Sequence, residues 1–337
     1  MISAKNYAAQ AVCELKDLQK KMARSAQFKN DAVVVSAIIE DIQKAQHFAV
    51  PDGGKILDDQ CKGIKGENIH LPYPIITVEF HGNAAVINTK PKPGKVLITK
   101  HLAIAQEVAV KDLDPGIVRK ALSTESFDKS DFAILVYGVH YIPEYKGWVP
   151  NAWGFVIPSY WDFIPDNASE DDIKDLTTKT KGSKTLKMSG IPYPFLPNLS
   201  LIEAQQIGDA DKALNNGILS VKQEIIAVLN LIEALSCKNV EEAIFQKARD
   251  KNSPIKSKIP KYETKCLTII APKTKIPIIS DPDAVKGTHA SPVMHLRMGH
   301  IRRLPTGNIW VNACIVGKPE NGVLDKSYKI KPKRDEE

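Results

Sequence analysis

Residues 295–316 read HLRMGHIRRLPTGNIWVNACIV, a run whose three arginines and two histidines could meet an anion. Guanidinium groups hold phosphate or carboxylate oxygens through two parallel N–H donors, and imidazoles add further donors. In a binding protein, Arg297, His300, Arg302, Arg303 and Trp310 would form a contact surface. In an enzyme, His295 or His300 would serve as general acid–base and Arg302 or Arg303 would stabilise phosphate charge, with or without a metal, which is nuclease chemistry. A third histidine, His289, raises the question of a metal. However, positions 295 and 300 differ by an odd number, so on a strand they point to opposite faces. Cys314 is expected across from Gly299, away from His300, and a His/Cys zinc site would need a bulge. The expectation is no metal and no cofactor. A structural hairpin with arginine stems lying over apolar surface is the alternative reading.

The surrounding charge has the same sign. Residues 246–303 hold nine lysines and four arginines against four acids, a net of +9 in a chain whose total is +7. Lys256, Lys258 and Lys261 lie in this stretch and join the candidate binding set. Local excess of this kind attracts a polyanion or an acidic protein face. A solvated lysine-rich loop would carry the same charge with no partner.

The elements that must position these groups follow from periodicity. Pro305-Thr306-Gly307-Asn308 reads as the turn of a β-hairpin. Pairing Leu304 with Ile309 sets Arg303 opposite Trp310, a cross-strand cation–π pair worth about 0.5–2 kcal/mol. The same register sets Arg302 opposite Val311 and His300 opposite Ala313. Upstream, residues 4–24 and 31–47 have apolar side chains at three- and four-residue spacing, predicting two amphipathic helices packed as a hairpin, the second capped at Asn30 or Asp31. Strands are predicted over residues 75–80, 84–88, 96–110, 132–141 and 153–158. Tyr141, Tyr145, Trp148, Trp153, Tyr160 and Trp161 are read as packing groups. Ser169 with Glu170, Asp171 and Asp172 reads as a helix cap rather than a catalytic acid cluster. Residues 177–200 read as a connecting loop. Gly217 opens the strongest helix, apolar on more than one face through Leu219, Ile225, Ile226, Val228, Leu229, Leu231, Ile232 and Leu235, and assigned to packing. A strand follows over residues 266–271. The fold class is therefore α+β: an N-terminal helical hairpin, a mainly antiparallel β-sheet packed against a long buried helix, and a C-terminal β-hairpin. Its regions are residues 1–50 (helical hairpin), 70–165 (β-rich), 166–245 (helical) and 246–330 (basic linker and hairpin), in one or two compact domains.

Composition excludes several classes. With 337 residues, 43% hydrophobic and 25% charged, the chain can build a real core. No segment approaches the roughly 18 uninterrupted apolar residues of a membrane span, and the amphipathic start does not read as a signal peptide. Cysteines 13, 61, 237, 266 and 314 are scattered, which reads as reduced thiols in a cytoplasm. The patterns GxxxxGK[ST], GxGxxG, HExxH and GxSxG are absent, and Asp52-Gly53-Gly54-Lys55 is an ordinary turn. A binding role is favoured over catalysis.

The run His295-x-Arg297-x-Gly299-His300-x-Arg302-Arg303-Leu304, then Gly307, Trp310-Val311 and Gly317, resembles the C-terminal signature of an uncharacterised protein family carried by phages and plasmids. That family is distantly related to a type V-A anti-CRISPR protein. Leu71-Pro72 before an apolar strand, Cys237-Lys238-Asn239-Val240 after a long helix, and Pro260-x-Tyr262 before a strand are similar to it as well. The resemblance implies an accessory protein acting in the cytoplasm of a bacterial host against a defence system. Its partner would be nucleic acid or a ribonucleoprotein, or an acidic host defence protein, and not a membrane.

Overall fold

The computed structural model describes residues 6–54, 56, 69–82, 100–113, 130–143, 146–159, 177–180, 183–186, 191–247, 262–269, 293–297, 300–311, 314–316 and 318–323. In chain order its elements are α1 (Tyr7–Ala23), α2 (Lys29–Lys44), β1 (Gln46–Ala49), β2 (Ile75–His81), β3 (Lys100–Ala109), β4 (Phe132–Ile142) and β5 (Gly147–Pro158). There follow β6 (Thr177–Thr180), β7 (Ser183–Leu186), β8 (Ile191–Pro194), α3 (Pro197–Ile207), α4 (Ala210–Leu235), β9 (Val240–Gln246) and β10 (Thr264–Ile269). The last strands are β11 (Val293–Arg297), β12 (His300–Leu304), β13 (Gly307–Val311), β14 (Cys314–Val316) and β15 (Lys318–Val323). The class is α+β, built on an eight-stranded mixed sheet in the order β8-β5-β4-β3-β2-β1-β10-β9, with a separate two-stranded hairpin of β12 and β13. β1 lies parallel to both β2 and β10, and the other pairings in that sheet are antiparallel.

Strand alternation sorts the side chains to two covered faces. Leu102, Ile104, Leu135, Tyr137 and Val139 join Ala8, Val12 and Leu15 of α1 and Val35, Ile38 and Ile42 of α2 in one buried cluster. Ala103, Ala105, Ile134 and Val136 meet Val221, Ile225, Val228 and Leu231 of α4 in another. Helices therefore lie against both sheet faces, and the central strands are apolar on both sides. α4 buries one side and leaves Leu219 56% exposed. Its acid at position 224 and the histidines at 101 and 140 all fall on the face between α4 and the sheet.

The structure corrects several sequence expectations. The second helix stops at Lys44, and residues 46–49 leave it to form a strand of the sheet. Neither Asn30 nor Asp31 caps that helix, which begins from Phe28 with no side-chain cap. Instead the buried Asp31 carboxylate accepts from the backbone N–H groups of Asn198 (3.0 Å) and Leu199 (3.1 Å), capping α3 from a distance. Residues 177–200 are not a loop: β6 and β7 pair, β8 extends the sheet beside β5, and Pro197 starts α3. Proline at the first turn of a helix sacrifices no helical N–H bond. Gly217 lies inside α4, which Asp209 caps by accepting from Lys212 N–H at 3.1 Å. A Cβ at Gly217 would stand 2.7 Å from the Trp153 ring, so glycine is what lets that indole approach the helix. Trp148 and Trp153 are buried packing groups, as expected. The expected strands over 84–88 and 96–99, the Ser169 cap, Tyr145, Tyr160 and Trp161 lie outside the described residues. No helix of the described residues is long and apolar enough to cross a membrane.

Candidate partner-binding hairpin and buried His–His–Glu cluster

β12 and β13 pair antiparallel as expected from the turn sequence, but in a different register. Leu304 stands opposite Gly307, Arg303 opposite Asn308, Arg302 opposite Ile309, Ile301 opposite Trp310 and His300 opposite Val311. The turn is the two residues Pro305-Thr306, with Gly307 at φ 120° just beyond, a backbone state open to glycine and costly for other residues. Reading four turn residues instead of two displaced the register by two. The direct cross-strand Arg303–Trp310 pair is therefore not formed, and Trp310 faces an isoleucine across the ladder. β11 and β14 pair antiparallel in a separate three-stranded sheet with β15, with Arg297 opposite Cys314 and His295 opposite Val316, so Cys314 stands across from Arg297 rather than from the expected Gly299.

The β12–β13 ribbon is fixed to the end of α4 by a reciprocal clamp. Asn239 donates through Nδ2 to the Trp310 carbonyl at 2.7 Å and accepts from Trp310 N–H through Oδ1 at 2.7 Å. Lys238 N–H donates to the Asn308 carbonyl at 3.0 Å, and Asn308 Nδ2 to Ser236 Oγ at 3.0 Å. An asparagine amide pairing with one residue's backbone N–H and C=O mimics a strand neighbour. Of the candidate residues, Arg302 is exposed and Trp310 half-buried. Exposed Lys238 runs beside the turn, where a Cβ at Gly307 would meet its Cε at 2.7 Å. His295, Arg297, His300 and Arg303 are placed by backbone register alone, and Lys256, Lys258, Lys261 and His289 lie outside the described residues.

A second constellation was not singled out by sequence. His101 on β3 and His140 on β4 stand directly opposite each other in the antiparallel ladder, with ring centroids 4.8 Å apart. Glu224 comes down from α4 between them. Its Oε1 accepts from His101 Nδ1 at 2.6 Å and from His140 Nε2 at 2.7 Å, since an ionised carboxylate can only accept. All three residues are buried, and their three ligand atoms lie within 4.8 Å of one another. Among the described residues, Glu224 Oε2 has no hydrogen-bond partner. Burial alone would raise the Glu224 carboxyl, but His140 and His101 outweigh it and hold it well below the usual carboxylate range. Phe80 stacks on His101 at 5.0 Å.

Two glycines make room for the cluster. A Cβ at Gly82 would lie 1.9 Å from His101 Nε2, and one at Gly138 would lie 2.7 Å from His140 Nε2 and 3.0 Å from Glu224 Cγ. One signal of this site is present in the sequence. Glu224 interrupts an apolar stripe running through Val221, Ile225 and Val228, and an acid there is buried if the stripe is. The two histidines lie 39 residues apart in sequence on different strands, and only the sheet register brings them together. On the opposite sheet face, buried Glu79 accepts from Ala8 N–H at 2.9 Å, and the Tyr7 hydroxyl and His81 Nε2 share a 2.6 Å hydrogen bond.

No protein-family model, curated protein or solved structure matches this chain.

Proposed function

We propose that the protein is an accessory factor of a mobile element that binds nucleic acid or a ribonucleoprotein through its C-terminal ribbon, acting against a bacterial defence system. The observation that carries the reading is the clamp. Asn239 and Asn308 join the ribbon to the end of α4, so Arg302 and Lys238 are cations on a fixed frame rather than on a free loop. A pre-organised cationic surface loses little conformational freedom on meeting phosphates, and the +9 segment of residues 246–303 extends the same charge. The likeness of the His295–Gly317 run to a phage- and plasmid-borne family supports the mobile-element part. Catalysis by His295 or His300 has no geometric observation in its favour.

The test is fluorescence anisotropy of labelled RNA and DNA over a range of salt concentrations. Binding is expected, with the logarithm of the association constant falling linearly with the logarithm of salt as counterions are released. Charge reversal by Arg302→Glu with Lys238→Glu should weaken binding and lower the salt slope by about 1 per lost phosphate contact, leaving the melting temperature unchanged. Absence of salt-sensitive binding, with no effect of reversal, would defeat the proposal.

A further inference from the structure

We propose that His101, His140 and Glu224 form a binding site for one divalent transition-metal ion of the zinc class, joining α4 to β3 and β4. The donor set is two imidazole nitrogens and one carboxylate oxygen, a combination that suits zinc and its neighbours and not calcium or magnesium, which take oxygen ligands. The three donors come from three separate elements, yet they converge within 4.8 Å. At zinc bond lengths of about 2.0–2.2 Å, donors around the ion stand about 3.3 Å apart. The Glu224 oxygen now sits 2.6 and 2.7 Å from the two ring nitrogens. Admitting an ion therefore needs the two N–H protons that now face Glu224 to leave, to solvent or to the other nitrogen of each ring, and a retreat of roughly 0.7 Å by that oxygen, with the rings closing on the ion.

Three further observations point to a ligand rather than to a packing accident. Glu224 Oε2 is buried with no hydrogen-bond partner among the described residues, although buried carboxylate oxygens are normally satisfied. Both imidazoles converge on the other oxygen, an uneven arrangement for a carboxylate held by hydrogen bonds alone and a natural one for a ligand ready to turn toward a cation. Gly82 and Gly138 then keep the space beside the rings clear of any Cβ. Three protein donors leave a fourth position for water, and because they come from α4, β3 and β4 an ion held here would tie the helix to the sheet. The site lies under α4, away from the ribbon face, and this inference stands independently of the binding function proposed above.

The experiment uses the full chain, stripped with a chelator and titrated with Zn²⁺ in competition with a chromogenic chelator. One equivalent should bind, the melting temperature should rise with Zn²⁺ and fall in EDTA, and Co²⁺ should give a visible d–d absorption band that Zn²⁺ displaces. His140→Ala and Glu224→Gln should each weaken Zn²⁺ at least tenfold and abolish the cobalt band. His295→Ala with His300→Ala and Cys314→Ser, in the ribbon and the strands flanking it, should leave stoichiometry and spectrum intact. If the cluster variants fail to fold, the wild-type and ribbon-variant titrations decide. Failure of the wild type to bind an equivalent overturns the site. So does binding that survives in folded His140→Ala or Glu224→Gln, or that disappears in the ribbon variant.

Discussion

His47 shows what burial does to an imidazole whose hydrogen bond is to a hydroxyl. Its Nδ1 shares a 2.6 Å hydrogen bond with Thr77 Oγ1, and its ring packs on Tyr262 at 4.5 Å. Burial lowers its pKa from 6.5 to about 4. A depressed histidine is neutral in the folded protein and takes up a proton more readily when unfolded. Its stabilisation is therefore fully present above pH 6.5 and is lost as pH falls from 6.5 toward 4, by about 3 kcal/mol over that window. Melting curves at pH 7 and 4.5 should show a smaller loss for His47→Gln than for the wild type; an equal loss would mean the titration lies elsewhere. Glu224 is the opposite case, its charge kept by two imidazoles. The sequence made the ribbon's residues visible because they are clustered. Their partners differ from the expected ones because Pro305-Thr306-Gly307-Asn308 offers four turn-forming residues where the chain turns on two. The buried cluster was missed for a different reason: His101, His140 and Glu224 each sit in an ordinary strand or helix pattern, and only pairing across the sheet makes them neighbours.

At the scale of elements, short polar side chains do much of the joining. Asp31 on α2 caps α3, Asp209 caps α4, and Asn239 stands in for a strand beside Trp310. Asn239→Ala removes both members of the reciprocal pair, leaving the Trp310 backbone groups to find water. Each net hydrogen bond is worth about 0.5–1.5 kcal/mol. Hydrogen exchange should therefore quicken at residues 300–311 while amides of α4 keep their protection. Unchanged exchange in the ribbon would show that the clamp is dispensable. Element types were legible where periodicity was strong, as in α1, α2, β2 and β4. They were lost over 177–200, where Thr, Lys, Gly and Pro mask two short strands that pair with each other and a third, β8, whose pairing is decided by the distant β5.

For the whole molecule, the helices are part of the core rather than an attachment to it. α1 alone contributes Ala8, Ala11, Val12 and Leu15 to the cluster under the sheet, all at most 3% exposed. A chain lacking residues 1–24 would uncover the part of that face that α1 covers, leaving only α2 on it, at about 25 cal/mol per Å² of apolar surface returned to water. Such a truncation should be insoluble or bind a hydrophobic dye; a soluble, cooperatively melting product would show that the sheet stands without it. The position of β1 has a further effect, on biosynthesis. His47 pairs with Thr264, 217 residues later, so one edge of β1 lacks its neighbour until the ribosome has made most of the chain. At elongation speeds of about 5–20 residues per second, that interval is on the order of 10–40 s. During it, an open strand edge is available to chaperones or to a second nascent chain.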